Sequence, residues 1–537
     1  MLRSLLSLFA LAAPASGYIR INPATNQFLD ELNREVFFRG VNAVYKLPPY
    51  HPSTGDYDPQ YSMNAQDAEQ LSAWGFNVVR LGVMWAGLEP ERGVYNETYL
   101  EEIATIVNTL ADKNIYTIID MHQDILSRDF CGNGIPSWAA QLGSNTTAHA
   151  FPLPAHGAFT LDENNQPSLD DCLQNDFVTY YFSGAVSKTF QALYDNDFGL
   201  LDSFSDFWRT VAKRFKSHNH VLGYEIINEP WAGDIYSDPR QVFNAESTQL
   251  TGFYDTVHQA IREEDPHHIV FYEPLTYDMW PIGWSENPLG TEWNDKSALS
   301  YHIYCPLAGG DLTPLVLKLA CQAVDLDFFH QRGLDVARLG GGGMMTEWGS
   351  LGDSPLDLEE LNHVLRLADD HKVSHIYWQY KDYHDITSTG DSGISLLPQG
   401  EPQLDKIKVL SRPFAHAVAG FTTLMKFHEK IEMYELIYEP ATKEEVEVWE
   451  MARTKIRVNR ENWFNADHVH GIKVDVTVSG AKVGDKGDVS SFVKVACEDK
   501  GQRVVVDHDK DMVKDGDDEI SIRVTIHPCL VRLECTC

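Results

Sequence analysis

What this chain has too little of narrows its function first. Lysine and arginine number 43 against 78 aspartates and glutamates, a formal net charge of -35 over 537 residues. Nucleic-acid phosphates call for a basic surface, so partners of that class are excluded. Adhesion to anionic membranes at neutral pH is disfavoured for the same reason. Apolar runs are short as well. The one at the start, Leu5 to Ala13, falls below the roughly 20 residues of a spanning helix, which argues against a transmembrane anchor. No Cys-x-x-Cys pair recurs at zinc-ligand spacing, and no metal or cofactor is expected. Neither a solenoid-length repeat nor a low-complexity linker is visible.

Arg3, the apolar stretch and the small residues Ala13, Pro14 and Ala15 together read as a secretory signal over residues 1–17. The expected destination is the extracellular space or the lysosome. There, eight cysteines can pair completely. Local placement favours Cys131 with Cys172 and Cys305 with Cys321, each clamping one long loop. Cys497, Cys529, Cys535 and Cys537 are left to the tail with their pairing open. Asn96 and Asn145 each begin an Asn-x-Thr glycan acceptor. The surplus of acid is either a solubility device or a match to an acidic compartment, where protonation would ease self-repulsion and the approach of acidic glycolipids.

Short apolar runs alternate with longer stretches at helical spacing. Eight runs stand out: 36–42, 77–81, 117–122, 222–227, 268–273, 299–304, 342–347 and 375–380, with helical patterns between them at 65–74, 98–113, 204–218 and 356–370. Eight such units predict a (β/α)8 TIM barrel over 18–411, whose strand C-terminal ends converge on one face. Roughly 100 residues separate the third and fourth runs, a length that commonly shapes access to a site. Polar and apolar residues then alternate over 431–439, 445–450, 472–478, 491–497, 503–506 and 520–527. These predict an antiparallel β-sandwich within 412–537. Asp507 to Asp511 begins like a calcium loop, but Met512 stands where such a loop needs glycine, so a solvated hairpin turning at Asp515-Gly516 is expected instead.

Two glutamates concentrate the chemistry. Glu229 follows an apolar run and Asn228, and Glu347 ends the run from Met344 and precedes Trp348. Cleavage of a glycosidic bond needs one carboxyl to protonate the leaving oxygen and another to capture or stabilise the oxocarbenium-like centre. Glu273 also ends a run, but it lacks both the preceding Asn and the following aromatic, and is the weaker third carboxyl.

The pair resembles the retaining glycosidases of glycoside hydrolase family 5. In that family an Asn-Glu-Pro strand end carries the acid/base and a later strand-end Glu is the nucleophile. The resemblance continues in Arg80 after the second run, His122 after the third, His302 and Tyr304 after the sixth and Trp378 after the eighth. It implies Glu229 as acid/base, Glu347 as nucleophile, Arg80 and Tyr304 as groups holding Glu347 ionised, Asn228 at the sugar 2-hydroxyl and Trp378 as a stacking floor. The Glu347 charge is expected to keep Glu229 protonated in the free enzyme.

Within the family, Arg39 to Lys46, Asp120 to Asp124, Ile135 to Trp138 and Arg412 to Gly420 are similar to endoglycoceramidases, which cut the bond between a glycosphingolipid's glycan and its ceramide. Plain cellulases of the family usually lack the first and last of these segments. The similarity spans about residues 30 to 425 and implies Lys46 and Asp124 as sugar-hydroxyl ligands. The partner is then a neutral or acidic glycosphingolipid, presented from a membrane or micelle. Its ceramide needs an apolar slot, for which Leu312, Leu315, Val316 and Leu319, with Trp231 and Tyr236, offer side chains. Their helical spacing equally suits ordinary helix packing. A glucan endohydrolase or an exo-acting glucosylceramide or steryl-glucoside hydrolase is the same-fold alternative, and an inactive glycolipid-binding protein the alternative of another class.

Overall fold

The computed structural model describes residues 17–537 apart from 145–158, 165, 176, 277–281, 306–313, 384–385, 388–391, 442–451, 461, 465–468, 480, 483–492, 500–501, 510–512, 515–519 and 531–534. The signal, Asn145, Leu312 and most of the calcium-like loop with its turn therefore lie outside the described residues.

Eight parallel strands close into a barrel: β1 (Arg39–Ala43), β2 (Val78–Gly82), β3 (Tyr116–Asp120), β4 (Val221–Glu225), β5 (Ile269–Tyr272), β6 (Ser297–Ile303), β7 (Gly342–Trp348) and β8 (Ser374–Tyr377), with β8 returning to β1. Each coincides with one of the eight runs read from the sequence. Buried on both faces, the strands are Val-, Ile- and Leu-rich rather than strictly alternating, as parallel strands covered by helices must be. The helix Leu200–Phe215 shows the matching half of the pattern. It buries Leu201, Phe204, Trp208, Val211 and Phe215 at three- and four-residue intervals while its last turn carries Lys213 and Arg214. The helix Pro355–His371 opens with a capping box between Ser354 and Asp357, which satisfies end groups that would otherwise be unpaired.

The long β3–β4 connection contains the helices Ser137–Ser144 and Gly184–Tyr194 besides Leu200–Phe215, and the Cys131–Cys172 disulfide ties it together. Cys305 and Cys321 are also joined, fixing the helix Pro314–Leu339 to the end of β6. In the tail Cys497 pairs with Cys537 and Cys529 with Cys535.

After the barrel come β9 (Phe414–Val418), β10 (Gly420–His428), β11 (Met433–Pro440), β12 (Arg453–Arg457), β13 (Gly471–Ser479), β14 (Val493–Glu498), β15 (Arg503–His508) and β16 (Ser521–Cys529). One antiparallel sheet runs β10–β11–β16–β13. The other contains β9, β12, β15 and β14, and it continues at the β9 edge into three two-residue strands, Arg20–Ile21, Phe28–Leu29 and Glu35–Val36. The sandwich is thus not built from 412–537 alone, because residues ahead of β1 supply its edge. Strands of two residues carry too little alternation to be read from sequence. Between the sheets, Phe427, Leu436, Ile456, Val504, Val524 and Ile526 form a separate apolar core. Among the described residues no helix is long and apolar enough to cross a membrane.

Candidate active site

Strand register gathers polar side chains at the C-terminal mouth of the barrel. It sets Asn42 beside Arg80 and Asp120 beside Glu225. Arg80 is fully buried and forms the hub. Its Nε lies 2.7 Å from Glu225 Oε2, its Nη1 donates to Glu347 Oε1 at 2.5 Å and to Asn42 Oδ1 at 3.1 Å, and its Nη2 donates to Asn228 Oδ1 at 2.8 Å. Burial works to lower the guanidinium pKa, but Asp120, Glu225, Glu347 and Glu273 outweigh it and hold the group charged. Removing this one cation would leave several buried carboxylates uncompensated.

Glu347 reaches this hub through a break in strand alternation. The β6–β7 register shifts between Met345 and Glu347, and such a bulge re-aims side chains. Thr346 and Glu347, neighbours that a regular strand would send to opposite faces, both contact inward groups: Thr346 Oγ1 meets Ser300 and Glu347 meets Arg80. Tyr304 donates its hydroxyl to Glu347 Oε2 at 3.0 Å. Burial, then Glu347, pushes the phenol well above its ordinary pKa, so it stays a donor. The Glu347 carboxyl is itself pushed up by burial, with His302 and Arg80 holding it down.

Glu229 lies just beyond β4 in the left-handed region, at φ 40°, which for a residue with a side chain costs about 1–3 kcal/mol. Three contacts hold it there. Gln123 Nε2 donates to the carbonyls of Asn228 and Glu229 at 2.6 and 2.9 Å, and the Glu229 N–H donates to Glu273 Oε2 at 2.5 Å. The carboxyl of Glu229 meets His302 Nδ1 at 2.7 Å through Oε1 and accepts from Thr276 at 3.3 Å through Oε2. Oxygen atoms of Glu229 and Glu347 and a ring nitrogen of His302 all fall within 4.8 Å of one another. Glu229 is the most open of these groups, with its side chain 22% exposed against 7% for Glu347.

Beside the pair, His122 Nδ1 lies 2.8 Å from Asp120 and its Nε2 3.4 Å from Asp124. Burial works to lower its pKa, yet these carboxylates raise it to about 9, so the ring is an imidazolium. Lys46 Nζ lies 2.9 Å from Asp124 Oδ2 and donates to Thr387 at 2.7 Å. Trp378 stacks on His122 at 5.5 Å and 19°, with the Lys46 ammonium 4.6 Å from its ring. Asn228 Nδ2 donates one hydrogen to Gln123 O at 2.9 Å, leaving the other for a ligand.

All ten catalytic and sugar-binding side chains expected from the sequence therefore meet at one mouth. Glu225, Asn42, Asp120, Gln123 and Thr276 join them without having been singled out. Glu225 lies inside the run 222–227, and an acid interrupting an otherwise apolar strand was the signal available. Glu225, Glu273 and His302 form a second cluster of possible metal ligands, but Arg80 already lies against both of its carboxylates.

The lipid-slot residues separate. Val316 and Leu319 are 51% and 58% exposed and Tyr236 is 49% exposed, so they are not helix-packing residues. Trp231 is a correction: it is buried, packs against Tyr181 and Phe182 and donates to Ser187 Oγ at 3.1 Å, so it belongs to the core. The side chain of Leu315 lies outside the described residues. Asn96 is exposed and caps the helix Glu97–Ala111 by accepting from the Tyr99 N–H. That contact uses its oxygen and not the nitrogen to which a glycan would be attached.

Comparison with known proteins agrees with this geometry. Residues 38–384 match the family model "Cellulase (glycosyl hydrolase family 5)". The chain is 37% identical to an endoglycoceramidase of Cyanea nozakii over 79% of its own length and 82% of that protein's, and 36% identical to one of Hydra vulgaris over 80% and 79%. Among solved structures, endo-glycoceramidase II from Rhodococcus sp. in complex with ganglioside GM3 superposes with a TM-score of 0.67 at 21% identity, covering 93% of this chain and 99% of that one.

Proposed function

Because this chain belongs to glycosyl hydrolase family 5, and within it groups with the endoglycoceramidases, we propose that it is a secreted endoglycosidase that hydrolyses, with retention, the β-glycosidic bond between the oligosaccharide and ceramide of glycosphingolipids. The observation that carries the reaction type is the approach of Glu229 and Glu347 to within 4.8 Å of each other around His302. Carboxyls of retaining enzymes stand about 5–5.5 Å apart, whereas inverting enzymes need about 6.5–9.5 Å to admit a water. Glu347, fixed by Arg80 and Tyr304, attacks the anomeric carbon as the glycan–ceramide bond breaks. Glu229 gives its proton to the ceramide oxygen. The glycosyl ester neutralises Glu347, and Glu229, now a carboxylate, takes a proton from the water that releases the glycan.

The lipid substrate is supported by the names of the relatives, by the ganglioside held by the Rhodococcus enzyme, and by the apolar side chains of Val316 and Leu319 on the helix that the Cys305–Cys321 bridge ties to the end of β6. Incubation with a ganglioside and mass spectrometry of the products tests the proposal. Intact oligosaccharide plus ceramide is expected. Free monosaccharide would make the enzyme exo-acting, and unchanged lipid would reject the substrate class. Secretion is tested by recovering the processed, glycosylated chain from the medium of expressing cells.

A further inference from the structure

Glu273 is nearly as buried as the residues around it and contacts Glu229 along two routes. Its Oε2 accepts the Glu229 main-chain N–H at 2.5 Å. Its Oε1 lies 2.9 Å from His302 Nε2, while the Nδ1 of the same ring lies 2.7 Å from Glu229 Oε1. One carboxyl thus meets the acid/base at its backbone and, through an imidazole, at its side chain. A residue serving only to fill the barrel needs neither contact.

We propose that Glu273 is a positioning residue for the acid/base: it fixes the Glu229 backbone and, through His302, keeps on the Glu229–His302 pair the proton that is delivered to the leaving oxygen. This deepens the function proposed above and rests on Glu229 being its acid/base. The proton is shared between Glu229 Oε1 and His302 Nδ1. When it sits on the ring, the ring is an imidazolium, and a carboxylate at Nε2 stabilises that form. On bond cleavage the proton passes to the ceramide oxygen, leaving Glu229 ionised and the ring neutral. In the second step a water proton returns to the pair, so the balance closes over one turnover.

The surroundings agree in sign. Glu273 is faced by Glu225 of β4, Arg80 of β2 at 3.6 Å, Ser300 of β6 at 3.1 Å and the Tyr254 hydroxyl, which donates to its main-chain carbonyl at 2.8 Å. His302 is faced by Glu229, by Glu347 Oε2 at 3.6 Å and by Tyr304. Burial works to lower the His302 pKa, but Glu273 and Glu347 raise it well above the ordinary value. Burial pushes Glu273 up, against the pull of His302. In its ionised form Glu273 places a negative charge at Nε2, which keeps the proton on the pair at pH values where it would otherwise be lost.

Glu273→Gln tests this. Glutamine has the same shape and keeps an oxygen for the Glu229 N–H, but it cannot become negative. The basic limb of the kcat/KM–pH profile for a detergent-dispersed ganglioside is expected to move to lower pH by about one unit or more. With an aryl lactoside, whose leaving group needs no proton, kcat/KM should change little. An unmoved limb, or equal losses on both substrates in a folded variant, overturns the proposal. If the glutamine chain does not fold, His302→Gln interrupts the same route at its middle and must move the limb in the same direction; an unmoved limb there also overturns it. Wild-type protein that cleaves neither substrate would reject the function proposed above rather than the role of Glu273.

Discussion

Arg80 Nη1 lies 2.5 Å from Glu347 Oε1, and the same guanidinium lies 2.7 Å from Glu225 and 3.2 Å from Asp120. One buried cation thus holds Glu347, the proposed nucleophile, and two carboxylates beneath it. Arg80→Met should lower unfolding stability by about 3–5 kcal/mol, since the remaining buried charges lose their partner. Calorimetry or denaturant unfolding checks this, and a loss below about 1 kcal/mol would show that the acids compensate by taking up protons.

Tyr304→Phe removes a neutral donor to ionised Glu347 and leaves the ring in place. Loss of a hydrogen bond to a charged group should reduce kcat/KM by about 10- to 100-fold. The sign of the pH effect follows from which form the hydroxyl favours. It stabilises the carboxylate, so without it the Glu347 pKa, already raised by burial, rises further and the acid limb of the profile moves to higher pH. A limb that stays in place would mean that Tyr304 serves the substrate and not the nucleophile.

Glu347→Gln should abolish turnover on every substrate, because no other carboxylate can replace the attacking group. Glu229→Gln should instead cost about 10²–10⁴-fold on glycolipid, the usual worth of general acid–base catalysis. With an activated aryl lactoside it should accumulate a glycosyl intermediate that azide intercepts with retained configuration. Inverted azide products would overturn the assignment.

Val316→Asp with Leu319→Asp places two charges at positions 51% and 58% exposed, so the thermal midpoint should hardly change. If ceramide lies against these side chains, the charges must be desolvated by its acyl chain. Activity on a detergent-dispersed ganglioside should then fall at least tenfold more than activity on an aryl lactoside. Parallel losses would put the lipid elsewhere.

Much of the barrel was legible in the sequence because its signals are local. Apolar runs of four to seven residues mark strands buried on both faces, and a polar residue closing such a run marks the catalytic mouth. Such a run placed Glu347 at the mouth, whereas Arg80, His122 and His302 were singled out by the resemblance to family 5. The two barrel-associated disulfides were similarly legible, since each closes a single loop. Strand β9 was not, because Phe414–Val418 shows no clear alternation and its partners, Glu35–Val36 and Arg453–Arg457, are distant in sequence.

What the sequence determined by itself is the inventory: two candidate catalytic carboxyls, an arginine and a tryptophan, each expected near the end of a barrel strand. Tertiary structure decided how these groups share charge. The β7 bulge turns Thr346 and Glu347 to one side, and the left-handed Glu229 is held by Gln123 and Glu273 from other strands. The same closure puts Glu273, a weak third carboxyl by its neighbours in sequence, behind His302. The physical reason is distance: charges act over a few ångströms, and residues 229, 273, 302 and 347 come that close only when eight separate segments close into a ring.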